Sequence, residues 1–459
     1  MNADIFRAYD IRGIADTDLT DPVVEKIGQA FATMAIRKGR EAPRVGIGRD
    51  ARSSSDRIFR ALERGLHRAG AHVINLGVLP TPLVYFATFQ EEYDGSIQIT
   101  GSHNPGEYNG FKMMLGRDTL HGAAIQQLRQ LIEDDDLVDD DADLGTSAHA
   151  ELRKEYIEWV RDDINMGDRK LHIAVDSGNG VAGVVAPELL RDAIGVKVHE
   201  LHTQPDGSFP NHHPDPTVEE NLTDLISAVR QEGCDFGVAY DGDGDRLGVV
   251  DENGDILWGD QLLILFARQV LSDHPGATII GEVKCSQTLF DDITNHGGEA
   301  VMARVGHSLI KAKIQQTGAL LAGEMSGHIF FNDRFFGFDD ALYATCRLAE
   351  IVSRTSQPFS ALLADVPNTY ATPEIRRPCD EQLKFKVPGR VAKFFADDYE
   401  VNTIDGVRVK FKQGWGLVRA SNTQPVLVLR AEGQSPETRD RYMKMLEDAV
   451  NDAETALAQ

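Results

Sequence analysis

The chain has 459 residues, of which 42% are hydrophobic and 26% are charged, and its formal net charge is −25 at pH 7. The length predicts several domains, and the composition is that of an ordinary globular protein. The acidic balance argues against a nucleic-acid-binding surface, which needs a basic patch, and no apolar run approaches the length of a membrane span.

The N-terminal segment and the cysteines bear on where the protein works. Residues 1–13, MNADIFRAYDIRG, lack the basic start and the apolar run of a signal peptide. The four cysteines lie far apart and form no C-x-x-C pair, so we expect reduced thiols rather than disulfides or a zinc site. These features predict a cytoplasmic protein.

Three segments repeat one pattern: a short apolar strand, a polar or glycine-containing loop and an amphipathic helix. They begin at Arg44, Leu171 and Thr278. Alternating strands and helices predict α/β layers, and the recurrence predicts three related domains. The C-terminal part has a different texture, a strand, a helix, three or four short strands and a final helix from Pro436, which predicts an α+β unit.

The first loop with unusual chemistry is T-G-S-H-N-P at residues 100–105, which places Ser102 and His103 on a flexible connection after an apolar strand pattern. A serine in such a string can simply cap a turn. The loop is not a G-x-S-x-G nucleophile elbow, and sequence neighbours seldom face each other, which argues against Ser–His hydrolase chemistry. A hydroxyl near a bound Mg²⁺ could instead carry a phosphoryl group.

The second loop is D-G-D-G-D-R at residues 241–246, where Asp241, Asp243 and Asp245 alternate with glycines. Alternate carboxylates on a bent loop can converge on one hard divalent cation. A solvated turn is the plain alternative. A calcium-binding EF-hand is argued against by Arg246 at the place of the invariant glycine and by flanking strands instead of helices. Mg²⁺ with few protein ligands and a substrate phosphate fits the pattern better.

Two further polar loops follow in the C-terminal half. G-E-M-S-G-H at residues 323–328 offers a carboxylate, a hydroxyl and an imidazole, which suit adjacent sugar hydroxyls. R-A-S-N-T-Q-P at residues 419–425 offers a dense set of donors that can cradle a phosphate. Either loop could be an ordinary turn when taken alone. The chain contains no Walker A and no G-x-G-x-x-G sequence, which argues against a nucleotide cofactor.

In an acidic protein, an anionic substrate requires a local concentration of cations. Six cations lie in or beside glycine-marked loops, and we expect some of them to pair with surface carboxylates instead: Arg7, Arg12, Arg49, Lys112, Arg246 and Lys284.

Taken together and in this order, the four loops resemble those of the α-D-phosphohexomutases, most closely the bacterial phosphomannomutase/phosphoglucomutase group. The resemblance covers essentially the whole chain. It implies three similar α/β/α mixed-sheet domains and a C-terminal α+β domain around a central active-site cleft, each contributing one loop. We expect the domains to span residues 1–146, 147–254, 255–366 and 367–459.

The resemblance also implies roles for individual residues. Ser102 would be phosphorylated and, with Asp241, Asp243 and Asp245, would hold Mg²⁺. The other residues expected at the reacting groups are His103, Lys112, Arg246 and His307. Those expected to bind the substrate are Tyr9, Arg12, Lys284, Glu324, Ser326, His328, Arg419, Ser421, Asn422 and Thr423. The proton acceptor is expected to be Lys112 or His307, whereas His103 would shape the loop.

The activity implied by the resemblance is the reversible interconversion of the 1-phosphates and 6-phosphates of mannose and glucose. Phosphoserine would give its phosphoryl group to the sugar, and a hexose 1,6-bisphosphate would form and turn around. The serine would then take back the other phosphate. The same bisphosphate would act as the activator. We expect small phosphosugars as partners, neither nucleic acid nor membrane, and a monomer or weak dimer.

Three alternatives remain at this point. A phosphoglucosamine mutase typically has Gln where this chain has Met325. An Mg²⁺-dependent sugar-phosphate phosphatase could use the same serine and metal, but residues 323–328, here called the sugar loop, and residues 419–425, the phosphate loop, would then have no purpose. A non-catalytic sugar-phosphate-binding protein would not need Ser102 or the aspartates of residues 241–246, the metal loop.

Overall fold

The computed structural model describes residues 1–89, 93–139, 145–421 and 424–458. Within these residues the chain forms four β-sheets, and helices pack against each of them. All four cysteines are buried free thiols. None of the helices in the described ranges is long and apolar enough to cross a membrane.

The first sheet has seven strands in the order β1-β5-β4-β2-β3-β7, with β6 paired to β5. Its elements are β1 (Ile11–Ile14), α1 (Asp21–Arg37), β2 (Arg44–Arg49), α2 (Ser55–Arg68), β3 (His72–Val78), α3 (Thr81–Phe89), β4 (Gly95–Ile99), β5 (Tyr108–Leu115), β6 (Asp118–Thr119), α4 (Ala123–Glu133) and β7 (Ser147–His149). Strand β7 lies just beyond the expected boundary at residue 146, yet it pairs with β3 of this sheet.

The second sheet has the order β12-β11-β10-β8-β9 and the third the order β14-β13-β15-β16. The elements of the second part are α5 (Leu152–Asp163), β8 (His172–Asp176), α6 (Ala186–Glu188), β9 (Lys197–Leu201), α7 (Thr223–Glu232), β10 (Phe236–Tyr240), β11 (Leu247–Asp251) and β12 (Ile256–Leu257). Those of the third are α8 (Gly259–Asp273), β13 (Thr278–Glu282), α9 (Gln287–Asn295), β14 (Glu299–Ala303), α10 (His307–Thr317), β15 (Leu321–Gly323), β16 (Ile329–Phe331) and α11 (Ala341–Ser353).

The first three sheets share one four-strand core. In each, three parallel neighbours are followed by an antiparallel strand: β3-β2-β4-β5, β9-β8-β10-β11 and β14-β13-β15-β16. The three sequence repeats begin at or next to the equivalent strands β2, β8 and β13, which confirms the predicted α/β fold. The serine loop (residues 100–105), the metal loop (241–246) and the sugar loop (323–328) therefore occupy equivalent positions. Each connects the third strand of its core to the fourth.

The fourth sheet is antiparallel and has the order β17-β22-β21-β20-β19, with β18 also paired to β22. Its elements are β17 (Tyr370–Ala371), β18 (Ile375–Pro378), α12 (Val387–Phe395), β19 (Glu400–Asn402), β20 (Val407–Phe411), β21 (Gly414–Ala420), β22 (Val426–Gly433) and α13 (Pro436–Ala458). This arrangement, including the final helix from Pro436, confirms the predicted α+β unit.

One hydrophobic core runs through the first three parts of the chain. At its centre, Tyr343 of α11 stacks on Phe335 with ring centroids 4.1 Å apart, and Tyr156 of α5 packs edge-on against Phe86 of α3. Aromatic side chains bury large areas, so this shared core fixes the three loops relative to one another. The C-terminal part has its own core between its sheet, α12 and α13.

Candidate active site

Ser102 lies in the loop that joins β4 to β5, with a backbone φ of 52°. A positive φ is uncommon for a residue other than glycine and needs support from its surroundings. The Ser102 N–H donates to Thr100 Oγ1 at 2.8 Å, and its carbonyl oxygen accepts from the Arg52 guanidinium at 2.8 Å. The hydroxyl donates to Asp241 Oδ2 at 2.9 Å and lies 3.0 Å from His103 Nδ1.

Arg52, which the sequence analysis did not single out, holds the whole serine loop. Besides the carbonyl of Ser102, its guanidinium binds the carbonyl oxygens of Asn104 (2.6 Å) and Tyr108 (3.1 Å). Asp50 fixes the guanidinium in turn, with Arg52 Nε 3.0 Å from Asp50 Oδ2, and both side chains are buried. The signal was present in G-R-D-A-R at residues 48–52, where Arg49, and not Arg52, was predicted to lie beside the site.

We expect Arg52→Lys to lower kcat about 10²-fold while changing KM much less, since a small displacement of a reacting group costs about that much. Lysine keeps the charge but cannot reach several carbonyl oxygens from one planar group. Steady-state kinetics of the fully phosphorylated enzyme would measure the effect. The matched control is Arg49→Lys, because Arg49 pairs with Asp56 at the surface. An equal loss in both variants, or a change confined to KM, would contradict the positioning role.

The three aspartates of the metal loop converge as predicted. Asp241, Asp243 and Asp245 are fully buried, and each offers a carboxylate oxygen within 4.8 Å of those of the other two. Asp241 Oδ1 accepts backbone N–H groups of Gly244 and Asp245 at 3.1 Å and of Arg246 at 3.2 Å, which fixes its orientation. Burial and the two neighbouring carboxylates raise the pKa of Asp241 well above its usual value.

Lys112 on β5 partly neutralises this cluster. Its Nζ lies 2.7 Å from Asp243 Oδ2 and also contacts Asp245 Oδ2. Burial alone would lower the pKa of Lys112, but these carboxylates outweigh that effect and raise it. Thr81, at the start of α3, donates to the same oxygen of Asp243. Sequence reasoning missed Thr81, because an isolated threonine before a helix normally signals only a cap.

This donor set fits Mg²⁺. Asp243 Oδ1 is buried and has no hydrogen-bond donor among the residues that the structure describes. Together with the oxygens of Asp241, Asp245 and Ser102 it forms a set of hard oxygen ligands, of the kind Mg²⁺ takes from few protein groups. Lys112 pairs with only two of the three carboxylates, and a divalent cation would supply further positive charge to the cluster.

The metal loop and the sugar loop meet through backbone and side chains. Residues Arg246 and His328 form a β-bridge, and Leu247 N–H donates to Gly327 O at 3.0 Å. Gly327 has a φ of 91°, and a Cβ there would lie 2.5 Å from the carbonyl oxygen of Leu247, so only glycine allows this approach. Gly327 of G-E-M-S-G-H therefore allows the close contact between the second and third domains.

His328 connects the two loops chemically. Its Nδ1 lies 2.9 Å from Glu324 Oε2 and 3.1 Å from Ser326 Oγ, and its Nε2 lies 3.2 Å from Asp245 Oδ1. Burial alone would lower the pKa of His328, but the two carboxylates raise it to about 9. His328 is therefore an imidazolium in this arrangement.

His307 begins α10 and stacks on His328, with ring centroids 5.6 Å apart. Burial and the nearby ammonium of Lys311 lower the pKa of His307 well below its usual value, so this imidazole is neutral. Lys311 pairs with the buried Asp339 at 2.7 Å, and Asp339 Oδ2 lies 3.4 Å from His307 Nδ1. Sequence reasoning missed Lys311 and Asp339, although His307 and Lys311 stand four residues apart in a helix.

Two N-terminal residues approach the same place. The ring of Tyr9 lies against Gly306, where a Cβ would come within 2.7 Å of it, and Gly306 N–H donates to Glu324 Oε1 at 2.7 Å. Arg12 pairs with Asp10 at 2.5 Å. The charge of Arg12 contributes to the lowered pKa of His103, after burial and Arg246.

Lys284 lies where the third and fourth sheets meet. Its Nζ is 2.9 Å from Glu374 Oε1 and 3.9 Å from Glu282 Oε1. Arg408 of the C-terminal domain fixes the backbone on both sides of Lys284. Its guanidinium donates to the carbonyl oxygens of Val283 and Cys285. Arg408 also lies over the Trp415 ring at 3.8 Å.

Arg419 is the second-last residue of β21, and its guanidinium lies 3.2 Å from Asp405 Oδ2. The same carboxylate oxygen accepts Val305 N–H at 3.1 Å, which ties the phosphate loop to the turn before His307. Ser421 is buried at the start of this loop. Asn422 and Thr423 lie outside the described residues.

Models of one protein family match nearly the whole chain in four consecutive parts. They are described as phosphoglucomutase/phosphomannomutase, alpha/beta/alpha domain I (residues 3–138), domain II (154–254) and domain III (258–370), and its C-terminal domain (374–449).

Individual proteins agree with these matches. A phosphomannomutase/phosphoglucomutase of Pseudomonas aeruginosa is 44% identical over 458 residues, which cover 100% of this chain and 97% of that protein. A phosphoglucomutase of Neisseria gonorrhoeae is 45% identical, covering 98% and 97%. The crystal structure of a phosphoglucomutase/phosphomannomutase family protein of Burkholderia thailandensis superposes with a TM-score of 0.92 at 42% identity, covering 99% and 98%.

Proposed function

The chain belongs to the phosphoglucomutase/phosphomannomutase family, and from this premise we propose that it interconverts the 1-phosphates and 6-phosphates of glucose and mannose through a phosphorylated Ser102. One observation carries the proposal. The hydroxyl of Ser102 lies 2.9 Å from a carboxylate of the metal loop, and that loop is bridged directly to the sugar loop.

In the first step, the O–P bond of phosphoserine 102 breaks and the phosphoryl group passes to the free hydroxyl at C6 or C1 of the sugar. The resulting 1,6-bisphosphate turns around, and in the second step its other phosphoryl group returns to Ser102. The left-handed backbone of Ser102 presents its oxygen on a loop held by Arg52. Bound at Ser102, Asp241, Asp243 and Asp245, Mg²⁺ would supply charge stabilisation to the group in transfer.

A base must take the proton of the attacking hydroxyl and return it in the second step. Of the two candidates left open by the sequence, we propose His307. Burial keeps its imidazole neutral, whereas Lys112 is held by ion pairs with two carboxylates. Lys112, Arg246 and the His328 imidazolium would then supply positive charge beside the phosphoryl group.

Sugar recognition falls to the remaining residues. Glu324 and Ser326 would bind hydroxyls O3 and O4, which glucose and mannose share. Tyr9 and Arg12 would line the cleft, and Lys284 would lie beside the reacting groups. Arg419, Ser421, Asn422 and Thr423 would grip the phosphate that is not transferred.

We expect Arg419→Ala to raise KM about 10- to 100-fold, because a hydrogen bond to a charged group contributes about 1.5–3 kcal/mol. Arg419→Lys should recover part of the loss, since lysine keeps the charge without the bidentate geometry. Initial rates over a wide range of substrate concentration measure this. Arg377→Ala is the matched control, because Arg377 pairs with Glu454 in the same domain. An unchanged KM in Arg419→Ala would refute the assignment.

The activity itself is tested by ³¹P NMR of the protein with Mg²⁺, a trace of glucose 1,6-bisphosphate, and glucose 1-phosphate or mannose 1-phosphate in separate tubes. Conversion of both substrates to 6-phosphates is expected. Release of inorganic phosphate without isomerisation would identify a phosphatase. Conversion of glucosamine 1-phosphate alone, in a third tube, would identify a phosphoglucosamine mutase.

A further inference from the structure

A further group of side chains that could hold a metal ion lies in the second part of the chain, outside the residues assigned above. Asp176, His202 and His212 each offer one ligand atom, and these atoms lie within 4.8 Å of one another. Asp176 ends β8, His202 directly follows β9, and His212 belongs to the loop that leads towards α7.

Both ring nitrogens of His212 face hydrogen-bond acceptors. Its Nε2 lies 3.0 Å from Asp176 Oδ2, and its Nδ1 lies 3.0 Å from the carbonyl oxygen of His213. A neutral imidazole has a single N–H, so one of these contacts would bring a lone pair against an acceptor. Either a second proton or a metal ion between Nε2 and the carboxylate removes this conflict.

Each of the three side chains is held by a second partner. His202 Nε2 lies 3.1 Å from Asp224 Oδ2, Asp176 Oδ1 accepts Gly178 N–H at 2.9 Å, and His213 O faces Nδ1 of His212. Carboxylates and backbone groups of this kind orient the ligands of protein-bound metals.

The exposure of the cluster also suits an ion. Asp176 is fully buried, whereas the side chains of His202 and His212 are 19% and 15% exposed to solvent. An ion can therefore reach the ligands from solvent and keep water in its remaining positions.

We propose that Asp176, His202 and His212 form a second metal site for a divalent transition-metal ion of the Zn²⁺ class. Two imidazoles and one carboxylate are donors that suit Zn²⁺, Ni²⁺ or Cu²⁺, whereas Mg²⁺ and Ca²⁺ prefer oxygen ligands only. The proposed site thus differs in donor chemistry from the aspartate cluster of residues 241–245, and the two would take different ions.

The loop that carries His212 gives the site a structural role. Phe209 packs over the Arg52 guanidinium at 5.2 Å, and Gly207 lies against the backbone of residues 51 and 52. Further along, Pro214 contacts Gly242 of the metal loop. An ion that joins His212 and His202 to the end of β8 would therefore clamp this loop onto Arg52, the residue that holds Ser102.

The test is a Zn²⁺ titration of the chelator-treated full chain in excess Mg²⁺, followed by competition with a chromophoric chelator. The visible absorption of Co²⁺, bound in place of Zn²⁺, reports the coordination geometry of the site, and its loss in the histidine variants would assign the ligands. We expect one Zn²⁺ per chain at this site. His202→Asn and His212→Gln should weaken its binding at least about 100-fold, and Asp224→Asn, which removes only an orienting group, about 10- to 100-fold.

The variants are chosen to keep the fold. His202 has a φ of 50°, a conformation that asparagine adopts more readily than most residues. Asp241→Asn and His149→Asn are the controls, and both should retain the Zn²⁺. The absence of Zn²⁺ binding in the folded wild-type chain would show a proton-bridged cluster and overturn the proposal. Binding that depends on Asp241 but not on His202 or His212 would overturn it as well.

Discussion

Ser102→Ala is expected to lower kcat at least about 10³-fold and to remove the phosphate carried by the active enzyme. The hydroxyl is the group that would give and take back the phosphoryl group, and loss of a nucleophile is among the largest single effects on an enzyme. Intact-mass measurement after incubation with glucose 1,6-bisphosphate should show a phosphate-sized adduct on the wild type and none on the variant.

Ser326→Ala is the matched control for this experiment. It removes a serine hydroxyl from the sugar loop, 3.1 Å from His328, and leaves the serine loop intact. The control should keep the phosphate adduct and change mainly KM. A phosphate adduct on Ser102→Ala, or its absence from an active wild type, would assign the phosphoryl group to another residue.

The sequence predicted the fold well because buried strands leave a strong local signal. The segments that begin at Arg44, Leu171 and Thr278 open with β2, β8 and β13, which are inner strands of three equivalent cores. Strand pairing leaves no such signal. Nothing in S-A-H at residues 147–149 indicates that β7 adds to the first sheet, since its pairing depends on β3 more than 60 residues earlier in the chain, in the register of Val73 with Ser147.

Site residues were predictable from the sequence where one loop combines glycines with reactive side chains. Residues that hold such a loop from a distant part of the chain were not predictable. Asp241 and His328 stand in such loops. Arg52, Lys311 and Asp339 act through contacts between distant segments, which only the fold brings together. Arg49 illustrates the opposite error, because it shares the glycine-rich context of the site but pairs with Asp56 at the surface.

Carboxylates are abundant in the candidate site as well as in the chain as a whole. Four cations of the site already have a carboxylate partner: Lys112 pairs with Asp243 and Asp245, Lys284 with Glu374, Lys311 with Asp339 and Arg419 with Asp405. An anionic substrate must therefore compete with internal carboxylates for these four cations. Such competition would weaken the hold of each of them on a phosphate and would help a bisphosphate to leave its contacts and turn around.

Asp241→Asn is expected to separate activity from stability. Asparagine keeps the carbonyl oxygen that accepts N–H groups of Gly244, Asp245 and Arg246, so the loop should keep its shape. The side chain loses its charge, however, and with it a ligand of Mg²⁺. We expect kcat to fall about 10³-fold, in keeping with the several kcal/mol that a bound metal contributes to stabilising transferred charge.

In EDTA the same variant should have a higher Tm than the wild type, by about 1–3 °C, an estimate for a gain near 1 kcal/mol in a large chain. Three buried carboxylates repel one another without a divalent cation, and burial raises the pKa of Asp241 because its charged form is disfavoured. With saturating Mg²⁺ the order should reverse, since only the wild type gains binding energy from the ion. Differential scanning calorimetry with and without Mg²⁺ measures both. A variant less stable than the wild type in EDTA would mean that the cations already present, Lys112, Arg246 and His328, balance the cluster, and would refute the argument that charge repulsion calls for a divalent ion.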